Sequence, residues 1–222
     1  MRNLFLAGFL VVTIGVITGS AIADDLFKYN YVELGYGYTT TEVQGSAQKE
    51  DDSDSSLPGV QASYAIHDLV AIQASYSPIK ATFNGVINGI PVAYKTSGNY
   101  LSFGVDLHKS ISDTTEIGLD LGHNLEGSSG TMSVAGFPTT IPSSTDVTNS
   151  FAIRARIALD QKFRIQASAG RTTGGSEAAS TDYTASVEYM SGKKFSIIVE
   201  DDLSTIPTGN WRSYIVEARY YY

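Results

Sequence analysis

The chain has 222 residues, with 15 Lys and Arg against 23 Asp and Glu, a formal charge of −8, and no cysteine. The acidic balance excludes a nucleic-acid partner, because phosphates demand a basic surface. Without cysteine there is neither a disulfide framework nor thiol or zinc–thiolate chemistry, so an exported chain of this size needs a large core, a closed sheet or lipid to stabilise it.

The first element is a secretory signal peptide over residues 1–23. Arg2 gives the positive start, Leu4 to Ile17 is the apolar run, and Ala21-Ile22-Ala23 supplies the small-x-small cleavage pattern. The run is too short for a spanning helix and is interrupted by Thr13 and Gly15. The mature chain is expected to start at Asp24 and to form one domain over 24–222. No later stretch is apolar for long enough to be a transmembrane helix.

From Tyr31 onward helical periodicity is nearly absent, and period-2 segments of about ten residues recur. In chain order, the apolar sides of the first five are Val32, Leu34, Tyr36 and Tyr38; Val60, Ala62, Tyr64 and Ile66; Val70, Ile72, Ala74 and Tyr76; Leu101, Phe103, Val105 and Leu107; and Ile117, Leu119 and Leu121. The next four show Phe151, Ile153, Ala155, Ile157 and Leu159; Phe163, Ile165, Ala167 and Ala169; Tyr183, Ala185, Val187 and Tyr189; and Phe195, Ile197 and Val199. The last segment, YIVEARYYY, puts Tyr214, Val216, Ala218, Tyr220 and Tyr222 on one face. Successive side chains of a strand point to opposite faces, so each segment reads as a strand with one greasy side.

The other side of each strand is Gly, Ser, Ala and Gln with scattered acids and arginines. A sandwich would fill its core with large apolar residues and carry Lys and Thr outside. Here the polar side is the small one, which fits a sheet with oil outward and a crowded polar interior. Closure is required in lipid, because an open edge leaves unpaired N–H and C=O groups in hydrocarbon. Short connections at 67–68, 109–114, 160–162 and 191–194 alternate with longer ones at 41–56, 79–96, 126–147, 172–181 and 202–210. The fold expected is all-β, a ten-stranded antiparallel up-and-down transmembrane barrel with both termini on the side of the short turns. The alternative is eight strands plus an extra hairpin, with 79–96 outside the barrel.

The signal peptide, the strand rhythm and the aromatic terminal strand YIVEARYYY together resemble small bacterial outer-membrane β-barrel proteins. The segment YNYVELGYGYT is similar to the first strand of barrels of the Ax type and, more loosely, the OmpX and OmpW types. The resemblance implies export, insertion among outer-membrane lipids and lipopolysaccharide, periplasmic chaperones, and recognition of the Tyr222 end by the barrel assembly machinery. It carries no cofactor and no metal.

The face assignment puts Glu33, Asp106, Glu116, Asp120, Arg154, Arg156, Arg164, Glu188, Glu200, Glu217 and Arg219 in the lumen. A narrow barrel is nearly filled by its own side chains, so these charges have to pair or stay wet. Closure of strand ten on strand one predicts Arg219 beside Glu33. Arg156 and Arg164 flank one turn and need acids, with Glu116, Asp120 and Glu188 in reach. The set reads as a structural ion-pair plug, or alternatively as the lining of a small selective pore. Lys80, Arg171 and Arg212 fall at outer strand ends and are candidates for lipopolysaccharide phosphates.

Catalytic readings find little. Omptin-like proteases place paired acids and a His at the outer rim, whereas His67 and His108 fall near periplasmic turns. His123 lies on the lipid face, and with Ser128 or Glu126 it faintly resembles the barrel-type lipid A deacylase. Leu125 breaks that family's close His-x-Ser spacing. The run Lys49 to Asp54 reads as a solvated loop; a weak Ca²⁺ site there lacks the loop framework. Asn88-Gly89 between apolar flanks predicts a hairpin that protrudes above the membrane, and 133–142 does likewise. The function expected is a non-enzymatic, monomeric outer-membrane surface protein, supporting membrane integrity and presenting loops for adhesion or host contact. The alternative is a narrow porin or an OmpW-like conduit for small hydrophobic solutes, and the third possibility is a lipid-modifying enzyme.

Overall fold

A computed structural model describes residues 27–43, 58–87, 90–175, 179–207 and 209–222. The signal peptide, the Asp24 start, the acidic run at 49–54 and the Asn88-Gly89 pair lie outside these residues. Ten strands run in sequence: β1 (Tyr31–Val43), β2 (Pro58–His67), β3 (Val70–Ile87), β4 (Ile90–Ser112), β5 (Thr115–Val134), β6 (Phe137–Ala158), β7 (Phe163–Gly174), β8 (Ser180–Met190), β9 (Phe195–Ile206) and β10 (Gly209–Tyr221). Each pairs antiparallel with its neighbours, and β1 pairs with β10 to close the barrel. All ten strands are in the ring, so the eight-strand alternative falls.

Alternation sets the radial order. Outside, Leu34 is 57 % and Ile153 66 % exposed; inside, Glu33 is 2 % and Asp106 0 % exposed. Many of the exposed aromatics gather at two levels. Tyr38, Tyr76, Tyr183 and Tyr214, on β1, β3, β8 and β10, lie on one side of the aliphatic band; Phe163, Tyr189, Phe195, Tyr220 and Tyr222, along β7 to β10, lie on the other. The register places Tyr38 opposite Tyr214, Phe163 opposite Tyr189 and Phe195 opposite Tyr220. Aromatic rings gather at both headgroup levels of membrane barrels. The three C-terminal tyrosines therefore divide: Tyr220 and Tyr222 stand among the outward aromatics, and Tyr221 is buried in the lumen.

One end of the barrel, called here the turn end, carries both described chain ends and the tight connections at 68–69, 113–114, 159–162 and 191–194. In the third of these, the Asp160 carboxylate accepts the backbone N–H groups of Lys162 (2.6 Å) and Phe163 (2.8 Å). Those two bonds hold its carboxyl below the ordinary aspartate range.

The other end bears out the two protruding hairpins and turns the long connections around them into paired strands. The stretches 79–96 and 126–147 are paired strands, because β3 pairs with β4 out to Ile87–Ile90 and β5 with β6 out to Val134–Phe137. Only Pro207 and Thr208 separate β9 from β10. β3 to β6 have 18, 23, 20 and 22 residues, against the roughly 9–11 that cross a bilayer. They rise past the rim as a four-stranded sheet. Ala135 and Gly136, both at positive φ, turn its β5–β6 hairpin.

The polarity of this sheet inverts above the rim. Along β4 the outward residues pass from Phe103 and Leu101 to Asn99, Ser97 and Lys95. The register brings Val92 opposite Val134, Tyr94 opposite Met132 and Val134 opposite Phe137 on the face that overhangs the mouth. Water replaces lipid there, so nothing keeps the apolar residues outward.

Candidate functional site: the plugged lumen

The lumen at the turn end is filled by ion pairs. Arg154 donates to Asp106 at 2.7 Å and to Asp120 at 3.3 Å. Arg156 gives both Nε (2.9 Å) and Nη2 (2.6 Å) to one Glu116 oxygen. Arg164 donates to Glu188 at 3.2 Å, and Arg219 to Glu33 at 2.5 Å across the closing seam. Glu188 also accepts from Ser196 at 2.6 Å and from the Tyr221 hydroxyl. Buried guanidinium and carboxylate groups persist only when matched in this way.

The expected lumen set is thus brought together, with one reassignment. Asp120 serves Arg154, whereas Arg156 is matched by Glu116 alone among the acids. Glu217 and Glu200 line the lumen above this layer. His108, expected near a turn, is buried inside the barrel at the turn end, 3.2 Å from Asp106 and four residues before β4 ends.

Sequence reasoning missed the segment that precedes β1. Phe27, Tyr29 and Asn30 are buried in the turn-end mouth. The Tyr29 ring stacks on His108 (centroids 3.5 Å apart, 9° between planes), and its hydroxyl donates to Glu116. The Arg156 guanidinium lies 4.7 Å from the Tyr29 ring and 5.1 Å from the Phe27 ring. Asn30 Oδ1 accepts the Ala65 N–H at 2.8 Å, and Lys28 donates to the Lys193 carbonyl at 2.7 Å. The segment is a stopper seated on the ion-pair layer. Its only sequence signal is a tyrosine out of step with the strand alternation that follows.

Above the layer the lumen opens into a cavity of about 390 Å³ beneath the hairpin end and a smaller one of about 210 Å³ beside Asp120. Of the outer-end candidates, Lys80, Arg171 and Arg212 all lie exposed on the outward face. Arg212 binds Asp201 at 2.8 and 2.5 Å. His123 is outward too and contacts Asn149 at 2.9 Å. Glu126 and Ser128 line the cavity inside the barrel, so the wall of the sheet separates them from His123.

A closed antiparallel ring with lipid-facing aliphatics, aromatics at two levels and a charged interior is a membrane-spanning β-barrel. The chain belongs to the outer membrane protein beta-barrel domain family, whose model matches residues 9–195, and its place is the outer membrane. Solved structures agree on the fold. The beta domain of the Bordetella autotransporter BrkA aligns at TM-score 0.60 and 13 % identity, over 88 % of this chain and all of that one. The translocator domain of autotransporter NalP from Neisseria meningitidis aligns at 0.57 and 10 %, over 88 % and 89 %. The transport unit of the autotransporter AIDA-I from Escherichia coli aligns at 0.53 and 7 %, over 88 % and 91 %. No curated protein matches the chain by sequence.

Proposed function

We propose that this protein is a non-enzymatic outer-membrane surface protein that presents the β3–β6 sheet for contact outside the cell, with a lumen closed by its own charges. The observation that carries the reading is the four-stranded extension, which holds Phe137, 76 % exposed, beyond the barrel rim. An exposed aromatic at the tip of a rigid sheet is a feature of contact surfaces. The stopper and the ion-pair layer favour contact over conduction, and the separation of His123 from Glu126 and Ser128 favours it over lipid chemistry.

In this reading residues 1–23 direct export. The turn end faces the periplasm, the Tyr222 strand is the handle for assembly, and Lys80, Arg171 and Arg212 meet lipopolysaccharide phosphates. The barrel works as a monomer.

The test is adhesion of bacteria that display the full chain, compared with bacteria whose hairpin tips (86–91 and 134–138) are replaced by two-residue turns. Wild-type cells should bind epithelial monolayers or matrix proteins above a vector control. The truncated barrel, still heat-modifiable on gels, should not. Equal binding by both would sink the proposal.

A further inference from the structure

We propose that the edge of β3 above the rim is a docking site for an extended acidic segment of another protein, added to the sheet as an antiparallel strand. Among the described residues β2 pairs with β3 only as far as Tyr76, and β7 with β6 only as far as Thr148. Beyond those points β3 and β6 have a described ladder partner on one side alone. An unpaired strand edge is a template for another chain, and proteins guard such edges with proline, bulges or charge.

The two edges are not guarded alike. On β6, Val134 and Phe137 flank the two-residue turn and exchange both ladder bonds, since the other bonding pattern needs an N–H from Pro138. The Pro138 nitrogen therefore faces the open side, where it removes a donor without harming the pairing to β5. Pro142 lies in a bulge, where the register slips between Ser144 and Ile141. On β3 the register with β4 is unbroken from Pro78 to Ile87. Ile87 and Ile90 are the bonded pair by the same reasoning, because Pro91 has no N–H to give. Alternate residues then point the other way, so Lys80, Thr82, Asn84 and Val86 turn their backbone N–H and C=O groups to the open side. β3 keeps the row of donors and acceptors that β6 has lost.

Direction and charge select the occupant. In one membrane every copy of β3 points the same way, so two copies cannot form a symmetric antiparallel ladder. Joining copies head to tail through β3 and β6 is closed by the guarded edge. Lys80 and Lys95 are exposed on the outward face, and above the rim they are its only charged side chains among the described residues. Glu126 and Asp146 of the same sheet line the cavity inside. Lys95 stands opposite Thr82, two residues along β3 from Lys80, so the two lysines are diagonal neighbours beside the open lane. A strand with carboxylates on its outward face complements them, while backbone bonds supply the affinity.

This names the partner class of the contact surface proposed above and rests on that reading. The experiment is fluorescence anisotropy of a labelled peptide alternating glutamate and valine, titrated with the full-length barrel in a neutral detergent. Saturable binding is expected. Residues in a bonded pair share a face, so the glutamates stand opposite Lys80 and its edge neighbours. N-methylation of the glutamate amides should abolish binding, and N-methylation of the valine amides should preserve it. Thr82→Pro and Asn84→Pro each delete an edge-facing donor and spare the bonds to β4, so each should weaken binding about tenfold or more. Thr140→Pro, on the guarded edge, should bind like wild type. Heat-modifiable migration checks that each variant is folded, and the N-methylated pair tests the wild-type protein directly. Adhesion that needs the hairpin tips but survives Thr82→Pro would sink strand addition and leave the contact reading standing. Absence of saturable binding, equal binding of the two N-methylated peptides, wild-type affinity in folded Thr82→Pro and Asn84→Pro, or a barrel dimer lost in Thr82→Pro would each overturn the proposal.

Discussion

Glu33 and Arg219 stand 186 positions apart in the chain and meet at 2.5 Å across the seam where β10 closes on β1. The Arg219 guanidinium also lies 4.1 Å from the Tyr31 ring, and Glu188 approaches it at 4.0 Å. The pair is buried, so removing one member strands the other in a poor dielectric. Glu33→Ala should destabilise the barrel by about 3–5 kcal/mol. Joint replacement with Arg219→Met should recover part of that loss. Urea unfolding in detergent, read by heat-modifiable migration, gives the double-mutant cycle. Additive losses would mean that the two groups do not interact.

Gly118 is the seat of a second pair. A β-carbon there would come within 2.7 Å of Arg154 Nη2, and Gly118 faces Arg154 in the β5–β6 register. The guanidinium has little freedom to yield, because Asp106 and Asp120 hold it. Gly118→Val should displace it and destabilise by about 2–4 kcal/mol, the loss of a buried pair less some relaxation. Gly127, with nothing within 4 Å of an added β-carbon, is the matched control. Gly127→Ala should lie within about 0.5 kcal/mol of wild type. Equal effects at the two positions would remove the packing argument.

The β5–β6 tip carries a local strain. Ala135 sits at φ 52° ahead of Gly136 at φ 85°. An L-residue in this region costs about 1–2 kcal/mol relative to its ordinary conformations. Ala135→Gly or Ala135→Asn should slow amide exchange in 130–141 without moving the unfolding midpoint of the barrel. Faster exchange in that segment would contradict the turn geometry.

The strand ring was legible because lipid on one side and a polar lumen on the other impose a strict period of two. Leu34, Phe103, Ile153 and Val187 declare the outer face, and Glu33, Arg154 and Glu188 the inner one. The nearness of Glu33 and Arg219 followed from closure alone. Above the rim that signal fails, since both faces meet water. Residues 79–96 and 126–147, rich in Ser, Thr and Gly, therefore read as long connections in which only Asn88-Gly89 and 133–142 marked hairpins, although backbone pairing continues through them. The pairing of Arg154 with Asp106 spans 48 positions and skips a strand, so no alternation encodes it. Tyr29 lay outside any periodic segment, and a coil folded back into the barrel leaves no pattern to read.

Conductance tests the closed lumen most directly. In planar bilayers the wild-type barrel should show no stable openings, because the Tyr29 stopper and the arginine layer occlude the turn end. Replacing Phe27 and Tyr29 together by glycine should produce flickering openings in the same folded barrel. Steady ohmic steps from the wild-type protein would contradict the account and restore the narrow pore.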